Sequence, residues 1–384
     1  MPNPLLCKLR PAFSSGLQLN LVVQLCMQKK RSGVEEKWVS FQPYLLSRGY
    51  RLRPRYQPDW VPSWKKDTGL HPSDCEDSID CMPVRILDAT RVRDEYQVII
   101  KMIVPGHGEG QNELAVLRHF NSPELRDHPH NHVVPCLDSF PIPGEEPGRF
   151  IVMPLLGRYL EPAFKTLAEV HDFLQQIFEG LIFMHENDTV HCDIASANIM
   201  MDSRPLYDEP FHPVHKTLSL DTQRLIYPKY SRLEKHIRYY LIDMGFATWF
   251  RDPTVPRLII GKQARILAPE QNSDKPYDPF MVDVYQLGTV IKQDLIHQNS
   301  ALEFLKPLAE EMTRSDPSAR PALDKARQSM NTTFLGLSGI RYRWPLVPRK
   351  AGIRARGIYF IWGVISEIRY WLEKVLTLFM VLRG

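Results

Sequence analysis

The sequence predicts an α+β fold of two lobes, a small β-rich lobe ahead of a larger helical one. Short alternating or β-branched stretches ("PVRILDATRV", "EYQVIIKMIV", "HVVPCLDSF", "RFIVMPLL") crowd into the first part of the chain. From "LAEVHDFLQQIFEGLIFMHEN" onward the apolar residues recur at helical spacing. Strands grouped before helices pack as two layers with a cleft between lobes.

Composition narrows the class. The chain has 384 residues, 43% hydrophobic and 24% charged, as in an ordinary soluble globular protein. A formal charge of +4, with no continuously basic helix, gives no reason to expect a nucleic-acid partner. Six cysteines (7, 26, 75, 81, 136, 192) form no C-x-x-C pair, so reduced thiols and a cytoplasmic setting are expected, not a disulfide or zinc framework. Proline outnumbers glycine, 32 to 20, which favours ordered connections over flexible ones.

Residues 1–34 carry no acid and only a modest apolar run near Leu19–Met27. That is too weak for a signal peptide and too poor in arginine and serine for a transit peptide, so a disordered or weakly helical extension is expected. "RGYRLRPRYQPDWVPSWKK" (48–66) has no period of 2 or 3.6 and reads as an extended arm whose aromatics pack on something larger. The segments "PVRILDATRV" and "EYQVIIKMIV" are expected to pair as antiparallel strands joined at Arg93-Asp94. Helical spacing in "EGQNELAVLRHF" (Leu114, Val116, Leu117, Phe120) puts Glu113 on a helix.

The chemistry-bearing stretch is "VHCDIASANIM" (190–200), with His191, Asp193 and Asn198 spaced H-x-D-x-x-x-x-N. Alone that spacing is weak. Around it, in order, stand Lys101 at the end of "VIIK", Glu113, "LIDMGFA" (241–247), "LAPE" (267–270), "DVYQLG" (283–288) and "DPSARP" (316–321). In this order the segments resemble eukaryotic protein kinases over roughly residues 84–330. The "GYRLRPRYQPDWVPSW" arm joined to such a domain is similar to kinase-like proteins of mushroom-forming fungi.

The resemblance implies binding of ATP and Mg2+ and transfer of the γ-phosphoryl to a protein hydroxyl. Such chemistry is mostly positioning and charge stabilisation, so each residue type has a reason. Asp193 is the implied base or orienter of the acceptor; Asn198 and Asp243 are implied magnesium ligands, hard oxygens for a hard cation. Lys101 would meet the α- and β-phosphates and be fixed by Glu113, while His191 would orient the loop. Met153 would guard the back of the pocket with Pro154–Leu156 facing adenine; Pro154 keeps its carbonyl and Leu156 its N–H. Asp283 would brace the catalytic loop, and Glu270 and Arg320 would form a buried pair. The implied divisions are an extension at 1–34, an arm at 35–80 packing on the kinase domain, an N-lobe at 81–153, a C-lobe at 154–335 and a tail at 336–384.

Several features depart from the family. No glycine lies between Gly69 and Gly106, so the loop that cradles phosphates is missing. Ile99 replaces the usual alanine, Ala195 the usual lysine, and "GKQARILAPE" lacks the usual threonine. Cys192 stands for arginine, making the loop non-RD. With only Thr248 and Thr254 as nearby hydroxyls, control by activation-loop phosphate is not expected. Three readings stay open: a slow or specialised protein kinase, a pseudokinase that serves as an interaction module, and a small-molecule phosphotransferase.

Between Asn198 and Asp243 an insertion at about 203–236 is expected on the C-lobe surface, whereas Asp283 to Arg320 is short, reducing the substrate-docking helix. Residues 341–356 hold six bases (Arg341, Arg343, Arg349, Lys350, Arg354, Arg356) and no acid, followed by "GIYFIWGVISEIRYWLEKVLTLFMVL". Glu367, Arg369, Glu373 and Lys374 interrupt a membrane span. An interfacial helix, a helix packed on the kinase lobe and a true span all remain readings, the first implying peripheral membrane contact through 341–384.

Overall fold

The computed structural model describes residues 30–66, 69–79, 84–104, 112–261 and 264–381. They fall into two compact units, one from residues up to Ile100 plus Pro210–Ile226, the other from Lys101–Glu209 plus the chain from Tyr227 onward. Residues 1–29 of the expected extension lie outside the described residues, but residues 30–34 are ordered, with Ser32 capping a helix.

In the first unit, helix α1 (Gly33–Ser47) begins with a capping box. The Glu35 N–H donates to Ser32 Oγ and the Ser32 N–H donates to Glu35 Oε2, satisfying two otherwise orphaned amides. Strand β1 (Tyr50–Arg51) pairs antiparallel with β2 (Ile86–Arg91), Tyr50 opposite Arg91. Strand β3 (Tyr96–Ile103) lies on the other side of β2, and Arg91 and Asp94 bond across the turn between them at 2.9 and 2.7 Å.

The arm sits between β1 and β2 and contains short helical turns. Its anchors are buried ion pairs as well as aromatics. Arg53 reaches Asp88 and Glu76, each at 2.9 Å. Arg55, fully buried, pairs with Glu35 and donates to the Asp77 carbonyl at 3.0 Å. Its guanidinium and that of Arg31 both lie about 5 Å from the Trp60 ring centre. Arginine suits such sites because its planar fork satisfies several acceptors at once.

The insertion corrects the expectation. Its middle, Pro210–Ile226, belongs to the first unit and not to the C-lobe surface. The Phe211 carbonyl accepts from Gln97 Nε2 at 2.9 Å, His212 meets Glu76 at 3.3 Å, and Gln223 donates to the Asp74 carbonyl at 2.9 Å. Phe211 and His212 are fully buried.

The second unit begins with the end of β3, carrying Lys101, and helix α2 (Glu113–Phe120). Strands β4 (Asp138–Pro141) and β5 (Arg149–Pro154) are antiparallel, Asp138 opposite Val152. The expected strand over "HVVPCLDSF" is therefore confined to its end; Pro135 has no N–H for a ladder, and Val133 makes only an isolated bridge to Leu241. Strand β6 (Gly157–Arg158), helix α3 (Leu167–Glu186), β7 (Thr189–Val190), β8 (Ile199–Met201), β9 (Tyr239–Leu241) and β10 (Thr248–Trp249) follow, β6-β8-β9 forming one small sheet and β7-β10 another. Then come α4 (Pro279–Val290), a π-helical turn at Ile291–Ile296, α5 (Lys306–Met312), α6 (Leu323–Leu335), α7 (Gly339–Arg343) and α8 (Ile353–Val381).

Helix α3 is the axis of the core. Thr166 caps it, and Phe173, Leu174, Ile177, Phe178 and Leu181 are fully buried, each adding roughly 1.5–3 kcal/mol. Gly180 is required on it, since a Cβ there would lie 2.7 Å from the Cβ of His132. His132 Nδ1 donates to the Tyr239 carbonyl at 2.8 Å, and burial pushes its pKa down to about 4.

The C-terminal segment is attached before α8. Tyr342 bonds His171 at 2.7 Å, the Leu346 N–H donates to the Lys165 carbonyl at 2.7 Å, and Leu346 is buried. Helix α8 itself is largely exposed: Ile358, Ile361, Trp362, Ile365, Trp371 and Leu372 are all more than half accessible. It is held near its middle, where Arg343 pairs with Glu367 at 2.8 Å and Trp344 packs against Gly363. Among the described residues no helix is long and apolar enough to cross a membrane.

Two outcomes are expected. Glu35→Gln strands Arg55 as a buried unpaired charge and costs about 3–5 kcal/mol in chemical denaturation, whereas Arg51→Ala, which removes the exposed pair with Glu95, leaves the midpoint nearly unchanged. His132 is folded neutral, so the unfolded chain binds its proton first as pH falls. The stability it contributes is whole above the usual histidine range and declines from about pH 6.5 toward 4, by up to about 3 kcal/mol. His132→Gln flattens that part of the stability-versus-pH curve.

Candidate active site

The catalytic loop leaves β7 and is shaped by one carboxylate. Asp283, fully buried on α4, accepts the His191 N–H at 2.9 Å and the Cys192 N–H at 2.7 Å, and His185 Nε2 approaches at 2.9 Å. These bonds hold Cys192 at φ 63°, a left-handed backbone that non-glycine residues seldom adopt. One helical turn along, Gln286 accepts the Ile194 N–H at 2.8 Å and donates to the Cys192 and Ile266 carbonyls, both at 2.9 Å. Sequence reasoning named Asp283 and missed Gln286; its position three residues on, on the same helix face, was the available signal.

The His191 ring bridges two segments. Nε2 donates to the Ile242 carbonyl at 3.0 Å, and Nδ1 accepts the Asp193 N–H at 3.3 Å. Both ring nitrogens are thereby used, tying the catalytic loop to the residue before Asp243. Cys192 is completely buried, and burial followed by the nearby Asp283 charge raises its thiol well above the usual range, so it is not a nucleophile.

The expected polar residues converge. Lys101 Nζ lies 2.6 Å from Glu113 Oε1 and 2.8 Å from Asp243 Oδ1. Asn198 Nδ2 donates to the Asp193 carbonyl at 2.8 Å and to Asp193 Oδ2 at 2.7 Å. With its amide N–H groups spent, Asn198 has only Oδ1 to offer a cation, a hard donor of the kind magnesium takes. Asp243 supplies a second hard oxygen from a left-handed residue at φ 64°. Asn198 and Asp243 fit a cation that takes few protein ligands and completes its shell with phosphate and water.

Charge states follow from these contacts. Burial opposes ionisation of Asp243, but Lys101, and after it Arg265, hold its carboxyl below the usual range. Lys101 is likewise disfavoured by burial, yet Glu113 and Asp243 outweigh this and keep it charged. Glu113 is the carboxyl that burial pushes up, even beside Lys101.

Arg265, which sequence reasoning did not assign, enters the same cluster from "GKQARILAPE". Its main-chain N–H donates to Asp193 Oδ1 at 2.6 Å. Its guanidinium bonds Asn198 Oδ1 and lies 3.5 Å from Asp243 Oδ2 and 3.9 Å from Asp193 Oδ2. Ala195, where the family carries lysine, is buried at the entry to the turn Ser196–Asn198.

Met153 and Pro154 end β5; Met153 and Leu156 pack against the core of the second unit. Glu270 and Arg320 form the bidentate pair the sequence suggested, at 2.6 and 2.7 Å, with Arg320 also donating to the Met281 and Arg314 carbonyls.

The protein kinase domain family matches residues 85–303. The chain is 25% identical over 132 residues to the Wee1-like protein kinase of Drosophila melanogaster, covering 32% of this chain and 20% of that protein. It is 27% identical over 133 residues to the serine/threonine-protein kinase pim-2 of Danio rerio, covering 30% of this chain and 42% of that protein. The chain thus spans less than half the length of either relative. With the matched domain covering more than half of its own length, the chain belongs to the protein kinase domain family.

Proposed function

We propose that the chain is a non-RD protein kinase that binds Mg-ATP and phosphorylates a hydroxyl on a protein substrate. The observation carrying this reading is the assembled Glu113–Lys101–Asp243 chain beside Asn198 and Asp193. Bound Mg-ATP would supply the transferable phosphoryl group and a divalent charge to polarise it. Lys101 would bind the α- and β-phosphates, held in place by Glu113. Asn198 and Asp243 would hold the metal, and Asp193 would orient the acceptor hydroxyl and receive its proton on a carboxylate oxygen. The missing glycine-rich loop lowers the expected rate, since each lost phosphate donor is worth about a hundredfold. A pseudokinase is the competing reading, and it rests on that same loss.

Asp193→Asn should keep nucleotide affinity close to wild type and lower phosphate transfer by at least about a hundredfold. Asp243→Asn should abolish the magnesium-dependent thermal shift given by ATP. Equal transfer by wild type and Asp193→Asn, measured with a generic acceptor protein, removes the catalytic assignment. A magnesium-dependent shift without any transfer leaves the pseudokinase.

For location, we infer that α8 lies on an anionic membrane surface. Support comes from its exposed apolar side chains next to the basic run 341–356, of which Arg343 and Arg349 are engaged by Glu367 and Glu303. Because Leu346 is built into the core, the informative truncation ends at Gly352. It should release the protein from vesicles containing phosphatidylserine and leave the kinase domain folded, and added salt should weaken binding of the full chain. Unfolding of the truncated protein would instead make α8 part of the domain.

A further inference from the structure

We propose that Arg265 supplies, from the segment ahead of Ala-Pro-Glu, the cation for the terminal phosphate of the nucleotide that the catalytic loop lacks at Ala195. This rests on the Mg-ATP reading above.

Charge balance gives the first reason. Glu113, Asp193 and Asp243 bring three carboxyl groups to the cluster, while Lys101 is already committed to Glu113 and Asp243. A metal held by Asn198 and Asp243 would offset part of the negative charge of an entering polyphosphate, and a further cation would offset it on the Asp193 side. The Arg265 guanidinium is in that place, bonded to Asn198 Oδ1 and within 3.9 Å of Asp193 Oδ2. An arginine fork matches phosphate oxygens two at a time.

Anchoring gives the second. The Arg265 N–H is fixed on Asp193 Oδ1 at 2.6 Å, and the next carbonyl, Ile266, is held by Gln286 Nε2 at 2.9 Å. The backbone is therefore placed independently of the side chain. The side chain remains 48% accessible, so a ligand can reach it. The oxygens it now touches, Asn198 Oδ1 and Asp243 Oδ2, belong to the proposed metal ligands. Metal and guanidinium thus compete for those atoms, and a bound phosphate gives the displaced guanidinium a new partner. Metal and triphosphate binding become coupled through one side chain.

The test compares the affinities of wild type, Arg265→Ala and Arg265→Lys for Mg-ATP and Mg-ADP by titration calorimetry. Only ATP presents the terminal phosphate. Arg265→Ala is expected to lower the preference for Mg-ATP over Mg-ADP by about tenfold or more, with Arg265→Lys between wild type and alanine. Equal effects on both nucleotides, or none, overturn the assignment. So does tighter binding of both by Arg265→Ala, which would make the side chain a plug over the metal ligands. Wild type binding neither nucleotide would overturn the Mg-ATP reading itself and the Arg265 assignment with it. The alanine variant keeps the main-chain bond to Asp193, and an unchanged melting temperature establishes that both variants are folded.

Discussion

A single buried carboxylate organises the candidate site. Asp283 has no exposed surface and takes two consecutive main-chain amides, those of His191 and Cys192, while His185 closes its other side. Left without these acceptors, two buried N–H groups would each cost on the order of 1–3 kcal/mol, and the left-handed turn at Cys192 would lose its support. Everything after that turn depends on it: Asp193 points toward Asn198, and His191 reaches the strand end that precedes Asp243. The family's arginine at position 192 is not needed for this, because the constraint acts on the backbone. A small buried thiol fills the space.

The second layer of organisation is electrostatic. Carboxyl groups outnumber cations in the cluster, and each cation is shared: Lys101 between Glu113 and Asp243, Arg265 among Asn198, Asp243 and Asp193. Sharing keeps the buried charges mutually compensated without ligand. The same sharing makes the cluster responsive, since any incoming divalent ion or phosphate must rearrange it.

The loop spacing and the order of the flanking segments made the candidate site residues legible as a group, because such chemistry would fix both residue type and distance along the chain. Strands β2, β3 and β5 were legible by alternation. Helix α1 was not: Pro43 in its interior speaks against a helix, although Ser32 and Glu35 spell a capping box. The arm was read through its aromatics, and its arginines were given no partners; their acids, Glu35, Glu76 and Asp88, lie 20 to 35 residues away, and no local pattern joins them. Arg265 was seen only as part of a segment lacking threonine. Its role depends on where the backbone returns to the catalytic loop, and a single sequence does not encode that locally.

Pro210–Ile226 has a consequence for how the chain is made. The first compact unit includes Phe211 and His212 in its interior, yet more than a hundred residues of the second unit are synthesised between Ile100 and Pro210. At roughly 5–20 residues per second, the ribosome delivers that missing piece several seconds after β3. Until then, the amide of Gln97 and the carboxylate of Glu76 await their partners on the nascent chain. The amino-terminal unit therefore cannot complete its folding first. Vectorial, domain-by-domain maturation is replaced by a wait, during which the β-rich surface is incomplete.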